Sequence, residues 1–464
     1  MKGVGAFVST TVALSAGTAL SAAVQPLAPR ASLQAVTVKG NAFYAGQDRF
    51  YIRGVDYQPG GSSNVADPIA DADGCKRDIA EFTKLGINTV RVYTVDNTQD
   101  HDECMNALAD AGIYLVLDVN TPKYSLNRAQ PEESYNDVYL QNIFATIDAF
   151  EKYDNTLAFF SGNEVINSDN STSAAPYVKA VTRDMRQYLG NRKYRQIPVG
   201  YSAADVDSNR LEMAEYMNCG TDDERSDFFA FNDYSWCDPS SFTTSGWDTK
   251  VKLFSNYSLP LFLSEYGCNT NKRQFQEVAA LYGDQMTSVY SGGLVYEYAE
   301  EGSNYGLVQI SGNTVKELDD FNALKTAYAG TPNPTGSGGA KTDDGTASQC
   351  PPKSNTWDVS SDALPEIPAP AKKYMTSGAG KGAGLGGSGS QNAGTGSSGT
   401  ASAGSGQATA TGTASSSGSS STSSSSSSTA SAKSAAGAMR APEFAPLVCG
   451  LVVVASTFLG ATLL

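Results

Sequence analysis

Two glutamates, each at the end of a short apolar run, are the strongest candidates for chemistry in this chain. Glu164 follows the run at residues 157–160, and Glu265 follows the run at residues 261–263. An eight-stranded α/β barrel places its catalytic groups at the carboxyl ends of buried strands. Two carboxylates facing one sugar ring can cleave a glycosidic bond, one by donating a proton and the other by acting at the anomeric carbon. Asn163, beside Glu164, is suited to hydrogen-bond the sugar 2-hydroxyl group.

Other catalytic classes find little support in the sequence. The only histidine is His101, and the chain has no GxSxG motif of the kind that carries a serine nucleophile. Neither HExxH nor CxxC spacing occurs, so we expect no metal and no other cofactor. The formal net charge of -15 argues against nucleic acid, since phosphate binding needs basic patches. No protein partner is evident from the sequence either.

The elements that must position these glutamates alternate between strand-like and helix-like stretches. Helical patterns cover residues 73–85, 101–111, 138–153, 175–189 and 273–290. Eight strands so spaced predict an α/β fold, a closed (β/α)8 TIM barrel, rather than an open doubly wound sheet, since no glycine fingerprint follows the first strand. The strand candidates are residues 51–55, 89–93, 114–118, 157–161, 197–201, 228–231, 260–264 and 293–296.

Both ends of the chain carry patterns that are typical of export and anchoring. Residues 1–23 predict a secretory signal peptide. Small residues, a spacer and an apolar terminus at residues 438–464 predict a glycosylphosphatidylinositol (GPI) anchor signal, with a tail-anchoring helix as the alternative. Between them we expect a barrel domain at 24–330, a Pro-rich segment at 331–375, and a disordered stalk rich in Ser, Thr, Gly and Ala at 376–437 that carries the GPI attachment site near its end.

The cysteine count agrees with an oxidising compartment. The chain has seven cysteines, and Cys449 falls in the segment that anchor attachment would remove. Six cysteines then remain, which is enough for three disulfides.

Seven motifs in one order resemble a known family. Residues from about Val36 to Ile310 resemble the fungal, GPI-anchored β-1,3-glucanosyltransferases of glycoside hydrolase family 72, in the subgroup that lacks a C-terminal Cys-rich carbohydrate-binding module. The motifs are YIRGVDYQPGG (51–61), NTVRVY (88–93), YLVLD (114–118), GNE (162–164), YSWC (234–237), SEYG (264–267) and YGLV (305–308).

The resemblance implies a retaining mechanism in which Glu164 is the acid/base and Glu265 the nucleophile. It implies that the glucan cleft is lined by Gln58, Tyr93, Asp118, Asn163 and Tyr234. Asp118 could instead orient its neighbours without touching sugar. Either Tyr296 or Tyr298 would add a ring from the last strand, and the sequence does not choose between them. The implied disulfides are Cys75–Cys104, Cys219–Cys350 and Cys237–Cys268, of which the second would tie the Pro-rich segment back to the barrel.

These features together predict an enzyme that cleaves a β-1,3-glucan chain internally and transfers the new reducing end to the non-reducing end of another glucan. Glu164 must start protonated while Glu265 stays ionised, so we expect a mildly acidic optimum. A retaining β-1,3-glucanase and a non-catalytic wall glycoprotein are the alternatives. Asn170 and Asn256 are candidate N-glycosylation sites. The predicted location is the outer face of the plasma membrane, reached through a GPI lipid, with possible transfer to the cell wall.

Overall fold

Eight parallel strands closed into a barrel form the centre of the molecule. The computed structural model describes residues 33–61, 64–343, 345–360 and 363–401. Three short antiparallel strands come first: β1 (Val36–Lys39), β2 (Ala42–Ala45) and β3 (Asp48–Phe50). The barrel strands follow: β4 (Ile52–Asp56), β5 (Thr89–Val92), β6 (Tyr114–Asp118), β7 (Thr156–Asn163), β8 (Val199–Ala204), β9 (Phe228–Asn232), β10 (Leu261–Tyr266) and β11 (Tyr290–Val295). They pair in sequence order and β11 closes on β4, so the predicted TIM barrel is confirmed.

The helices surround this barrel, and small strands complete the list of elements. The helices are α1 (Ala72–Leu85), α2 (Asp102–Asp110), α3 (Pro131–Ser134), α4 (Asp137–Phe150), α5 (Ala175–Arg192), α6 (Arg210–Met217), α7 (Trp247–Leu253), α8 (Glu277–Leu281), α9 (Asp319–Gly330) and α10 (Tyr374–Ser377). Two 3-10 helices cover Asp169–Ala174 and Ala369–Lys373. Short antiparallel pairs join β12 (Val308–Ser311) to β13 (Thr314–Glu317) and β14 (Leu364–Pro365) to β15 (Thr400–Ala401). In the described part of the chain, no helix has the length and apolar character needed to cross a membrane.

The apolar runs form barrel strands because both of their faces are covered. Every residue of β4, β5 and β6 is buried, as expected for parallel strands between helices and a filled barrel interior. Adjacent strands approach closely at Gly54, where a β-carbon would lie 2.1 Å from the Thr89 carbonyl oxygen. Glycine is therefore required at this position of β4.

Aromatic residues fill the amino-terminal end of the barrel. Phe43, from the first small sheet, packs with its ring centroid 5.9 Å from those of Phe228 and Phe262. Phe50 meets Tyr114 edge-on at 5.0 Å. This end is a packed apolar core, so polar chemistry is left to the opposite, carboxyl end of the strands.

One predicted helix is much shorter than its pattern suggested. Residues 273–290 contain only the five-residue α8. Before it, Arg273 is 2% exposed and donates to the carbonyls of Tyr296 at 2.9 Å and Tyr305 at 2.6 Å, while the amide of Gln274 donates to Asp238 at 2.6 Å. The long-helix prediction was wrong because these tertiary contacts take the place of the first helical turns.

The structure joins Cys75 to Cys104, Cys219 to Cys350, and Cys237 to Cys268, the three pairs that the resemblance implies. The second disulfide ties the segment at Cys350 to Cys219 of the barrel domain. Asn170 and Asn256, the candidate glycosylation sites, are both exposed.

The boundary predicted at residue 376 is too early for a free stalk. Residues 376–401 lie on the surface of the barrel domain, and β15 within them pairs with β14. Hydrogen bonds from side chains of the barrel domain to its main-chain carbonyls hold this glycine-rich stretch in place. Composition alone did not indicate these bonds. The predicted signal peptide, the later part of the stalk with its GPI attachment site, and the anchor signal lie outside the described residues.

Candidate active site

The two glutamates lie at the carboxyl end of the barrel on strands separated by β8 and β9. Glu265 belongs to β10, and Glu164 is the first residue after β7. Glu164 has a φ of 47°, a left-handed conformation that non-glycine residues seldom adopt. Its amide donates to the Ser202 carbonyl at 2.9 Å, and Arg128 donates to its carbonyl at 2.7 Å. These two bonds hold the backbone of Glu164 in a conformation that costs free energy.

Three donors converge on the Glu265 carboxylate. The Tyr93 hydroxyl donates to Oε1 at 2.8 Å, the Tyr234 hydroxyl donates to Oε2 at 2.7 Å, and Arg91 lies 3.4 Å from Oε1. Burial raises the pKa of Glu265 to about 7; Arg91 opposes this shift, the negative charge of Glu164 adds to it, and the two tyrosine hydroxyls oppose it. The two carboxyl groups therefore interact electrostatically across the mouth of the barrel.

Arg91 is the centre of the network beneath the glutamates. Its side chain is fully buried, and it donates to both Asp118 oxygens at 2.8 and 3.2 Å and to Asn163 Oδ1 at 3.0 Å. Its guanidinium also lies 4.1 Å from the centre of the Tyr93 ring. Our sequence interpretation missed Arg91 as a site residue. A lone charge at a buried position of an otherwise apolar strand was the available signal, because such a charge needs partners.

Asn163 and Asn232 fix the geometry around Glu164. Asn232 Nδ2 donates to Glu164 Oε1 at 2.8 Å and to Asn163 Oδ1 at 3.1 Å. Asn163 Oδ1 also accepts from Arg91 and from the Ser202 hydroxyl, the latter at 2.7 Å. With its oxygen held by three donors, the Asn163 amide nitrogen is left to donate to a sugar hydroxyl. Asn232 was a second residue that sequence interpretation missed.

A cluster of tyrosine rings stands over Glu265. Tyr296 packs edge-on against Tyr93 at 6.5 Å, Tyr234 at 6.4 Å and Tyr305 at 5.3 Å. Such a cluster presents ring faces and hydroxyls that suit carbohydrate. Tyr305 had not been predicted as a site residue.

Tyr298 lies elsewhere, so of the two alternatives that the sequence left open only Tyr296 packs beside the residues around Glu265. Tyr298 is 0% exposed, donates to Asp78 at 2.8 Å, and packs against Tyr57 and Phe82. Both Tyr296 and Tyr298 follow the last residue of β11, Val295, so the two-residue alternation of a strand no longer puts them on one face.

Two other predicted lining residues are used mainly within the protein. Gln58 Oε1 accepts from the amides of Tyr93 and Thr94 at 3.1 and 3.0 Å, and its Nε2 donates to the Ala66 carbonyl at 2.7 Å. This side chain holds neighbouring loops, so its role as a sugar ligand is not supported. Asp118, paired with Arg91, fits the alternative that it orients its neighbours.

A cavity of about 330 Å³ opens beside Asn163 and Tyr93. Its far wall comes from the segment after β6. That wall places Arg128, which bonds to the Glu164 carbonyl, at the edge of the same cavity. The lining residues are Tyr93, Thr94, Asp118, Asn120, Thr121, Pro122, Ser125, Leu126, Arg128, Ser161, Gly162, Asn163 and Val165.

The chain is similar to known proteins over most of its length. Residues 26–332 match the Glyco_hydro_72 family model, described as Glucanosyltransferase. The 1,3-beta-glucanosyltransferase gel1 of Aspergillus fumigatus is 72% identical over 372 residues, covering 80% of this chain and 82% of that protein. The 1,3-beta-glucanosyltransferase GAS5 of Saccharomyces cerevisiae is 56% identical, covering 79% and 76%. A solved structure of Saccharomyces cerevisiae GAS2P in complex with laminaritriose and laminaritetraose has a TM-score of 0.68 at 38% identity, covering 73% of this chain and 78% of that one. The chain therefore belongs to glycoside hydrolase family 72, the glucanosyltransferases.

Proposed function

We propose that this protein is a retaining β-1,3-glucanosyltransferase that elongates glucan chains, with Glu164 as acid/base and Glu265 as nucleophile. The observation that carries the proposal is the unequal environment of the two carboxyls. Glu265 receives two tyrosine hydroxyls and lies beside Arg91, whereas Glu164 receives one amide donor, from Asn232. Donors of this kind favour the carboxylate form of Glu265, which is the form that a nucleophile needs.

In the first step, Glu265 attacks the anomeric carbon while Glu164 gives its proton to the departing glycosidic oxygen. The C–O bond to the reducing-end part of the donor breaks, and a glucosyl ester forms on Glu265. Negative charge leaves Glu265 as the ester forms, while the anomeric centre passes through an oxocarbenium-like state. The Asn163 amide is suited to hydrogen-bond the 2-hydroxyl in that state.

In the second step, Glu164, now ionised, removes a proton from the non-reducing end of an acceptor glucan. The acceptor oxygen attacks the anomeric carbon and releases Glu265, so the configuration at that carbon is restored and the acceptor becomes longer. Water in place of the acceptor would give hydrolysis. The tyrosine rings over Glu265 favour transfer, because they offer a sugar-binding surface and limit the access of water.

Support for a glucan substrate comes from the relatives. The similar curated proteins are named 1,3-beta-glucanosyltransferases, and the solved GAS2P structure is a complex with laminaritriose and laminaritetraose. We also propose export and attachment to the outer face of the plasma membrane through a GPI lipid, on the basis of the two terminal sequence patterns. Release of the protein from intact cells by a phosphatidylinositol-specific phospholipase would test the attachment.

The test of function is incubation of the secreted protein with one laminari-oligosaccharide of defined length, followed by sizing of the products by mass spectrometry. We expect oligomers longer than the substrate. Glu164→Gln and Glu265→Gln should each abolish them, because each removes one partner of the double displacement. Shorter products alone would identify a glucanase instead, and an unchanged substrate would favour the non-catalytic alternative.

A further inference from the structure

The glycine-rich stretch that composition assigns to a disordered stalk lies against the wall of the cavity beside Asn163 and Tyr93. We name residues 378–396 the glycine strap and residues 119–130, between β6 and α3, the wall loop. The wall loop supplies Thr121, Pro122, Ser125, Leu126 and Arg128 to the lining of the cavity.

The strap bonds directly to the wall loop at several points. Lys123 Nζ donates to the carbonyls of Leu385 and Gly387 at 3.2 and 3.1 Å, and the Lys123 carbonyl accepts from the Ser390 amide at 2.9 Å. The Gln391 side chain donates to the Ser125 carbonyl at 2.7 Å. Two of these bonds are donated by the wall loop and two by the strap, so they hold the loop against the strap at two residues, Lys123 and Ser125.

The strap is also held firmly at its two sides. Ser390 is 0% exposed, and its carbonyl accepts from Asn136 Nδ2 at 2.7 Å in a buried bond. Further along, the Thr395 carbonyl accepts from the Asp137 amide at 3.1 Å. On the other side, Gln141 donates to the carbonyls of Ala379 and Lys381 at 2.9 and 2.8 Å. The wall loop is therefore covered by a fixed segment.

Glycine is required in the strap because the chain passes very close to the barrel domain. A β-carbon on Gly387 would lie 2.1 Å from the Tyr124 hydroxyl, and Tyr124 is 2% exposed and cannot swing away. The same hydroxyl accepts from the Gly389 amide at 3.2 Å. By contrast, a β-carbon on the neighbouring Gly386 would meet nothing within 4 Å, and neither glycine has a positive φ.

The wall loop contacts the strap at one end and the backbone of Glu164 at the other. Arg128, at its far end, lines the cavity and donates to the Glu164 carbonyl at 2.7 Å. We propose that the glycine strap is a positioning element of the glucan-binding cleft. It holds the wall loop, and through Arg128 the backbone of Glu164, in the geometry that binds the donor glucan. The link to glucan rests on the proposed function, whereas the link between strap and loop does not.

The test compares Gly387→Ala with its matched control, Gly386→Ala, in the full secreted protein. Hydrogen exchange would follow residues 119–130, and steady-state kinetics would use laminaripentaose. We expect Gly387→Ala to speed exchange in the wall loop by about tenfold or more, since overpacking forces the strap away. We expect KM to rise by about fivefold with kcat within about twofold, since a loosened wall weakens substrate binding. Gly386→Ala should match the wild type in every measurement.

A merely structural role would give a different pattern, because loss of folded protein lowers the apparent kcat and leaves KM unchanged. Equal exchange in the two variants would overturn the proposal, as would a change in kcat alone. If Gly387→Ala fails to fold, Gln391→Ala replaces it: this side chain is exposed, and its loss removes only the bond to Ser125. If the wild type neither transfers nor cleaves glucan, the proposed function fails, while the exchange measurement still decides the role of the strap.

Discussion

Replacing Tyr234 by phenylalanine tests the environment of the nucleophile most directly. The change keeps the ring that packs against Tyr296 and Tyr305 and removes only the hydroxyl that donates to Glu265 Oε2 at 2.7 Å. A hydrogen bond to a charged group contributes about 1.5–3 kcal/mol. Because Arg91 and the Tyr93 hydroxyl remain beside the same carboxylate, we take the lower end, about 1.5 kcal/mol. This free energy corresponds to about one pKa unit, or about tenfold in rate.

The sign follows from which form of Glu265 the hydroxyl stabilises. A donor favours the carboxylate, so its loss raises the pKa of Glu265 further above its ordinary value. The acid limb of the pH profile of kcat/KM, where Glu265 must ionise, should move to higher pH by about one unit. Activity should therefore fall more at pH 5 than at pH 7. The measurement is the initial rate of transfer on a laminari-oligosaccharide between pH 3.5 and 8.5.

Tyr305→Phe is the matched control, because Tyr305 contributes a ring 5.7 Å from that of Tyr234 and its hydroxyl does not donate to Glu265. Its acid limb should stay at the wild-type position. An unshifted acid limb in Tyr234→Phe would refute the reasoning, and so would equal shifts in both variants.

Three further predictions concern residues around the site. Tyr298→Phe should lower the free energy of unfolding by about 1–3 kcal/mol, because the buried Asp78 carboxylate loses one of its donors, and it should leave KM unchanged. Tyr296→Ala should instead raise KM with little change in melting temperature. Arg91→Lys should lower kcat by about a hundredfold, since an ammonium cannot reproduce the guanidinium fork; wild-type kinetics would contradict this. Burial raises the pKa of Glu277 to about 8, so the folded state holds this proton more tightly than the unfolded state and loses stability between about pH 4.5 and 8. In guanidinium unfolding, the free energy of unfolding of Glu277→Gln minus that of the wild type should therefore be about 3–5 kcal/mol larger at pH 9 than at pH 5. An equal difference at both pH values would disprove the assignment.

The sequence alone was enough to predict the barrel and the place of its two glutamates. Strands that are buried on both faces appear in a sequence as continuous apolar runs. All eight such runs overlap barrel strands in the structure. The position of Glu164 and Glu265 at the ends of such runs predicted their convergence, because all eight strands of a barrel point their carboxyl ends to one mouth.

Tertiary structure decided which polar and aromatic side chains accompany them. Which of Tyr296 and Tyr298 faces the site depends on how the chain turns after β11 ends at Val295. The local sequence pattern does not predict that turn. Gln58 and Arg91 acquire their roles from partners far apart in sequence, such as Glu265, 174 residues from Arg91. A residue type indicates what bonds it can form, but its partners depend on the fold.

In the glycine strap, the structure differs most clearly from what the composition predicts. Gly, Ser and Ala over residues 378–396 predict a chain that buries no core, because such side chains offer little apolar surface. What holds the strap is its backbone, whose carbonyls accept hydrogen bonds from Lys123, Asn136 and Gln141. Glycine at position 387 allows this backbone to pass close to the Tyr124 hydroxyl. The sequence determined the catalytic strands through side-chain hydrophobicity, whereas only the tertiary structure could show a segment whose stability comes from main-chain contacts with side chains of the barrel domain.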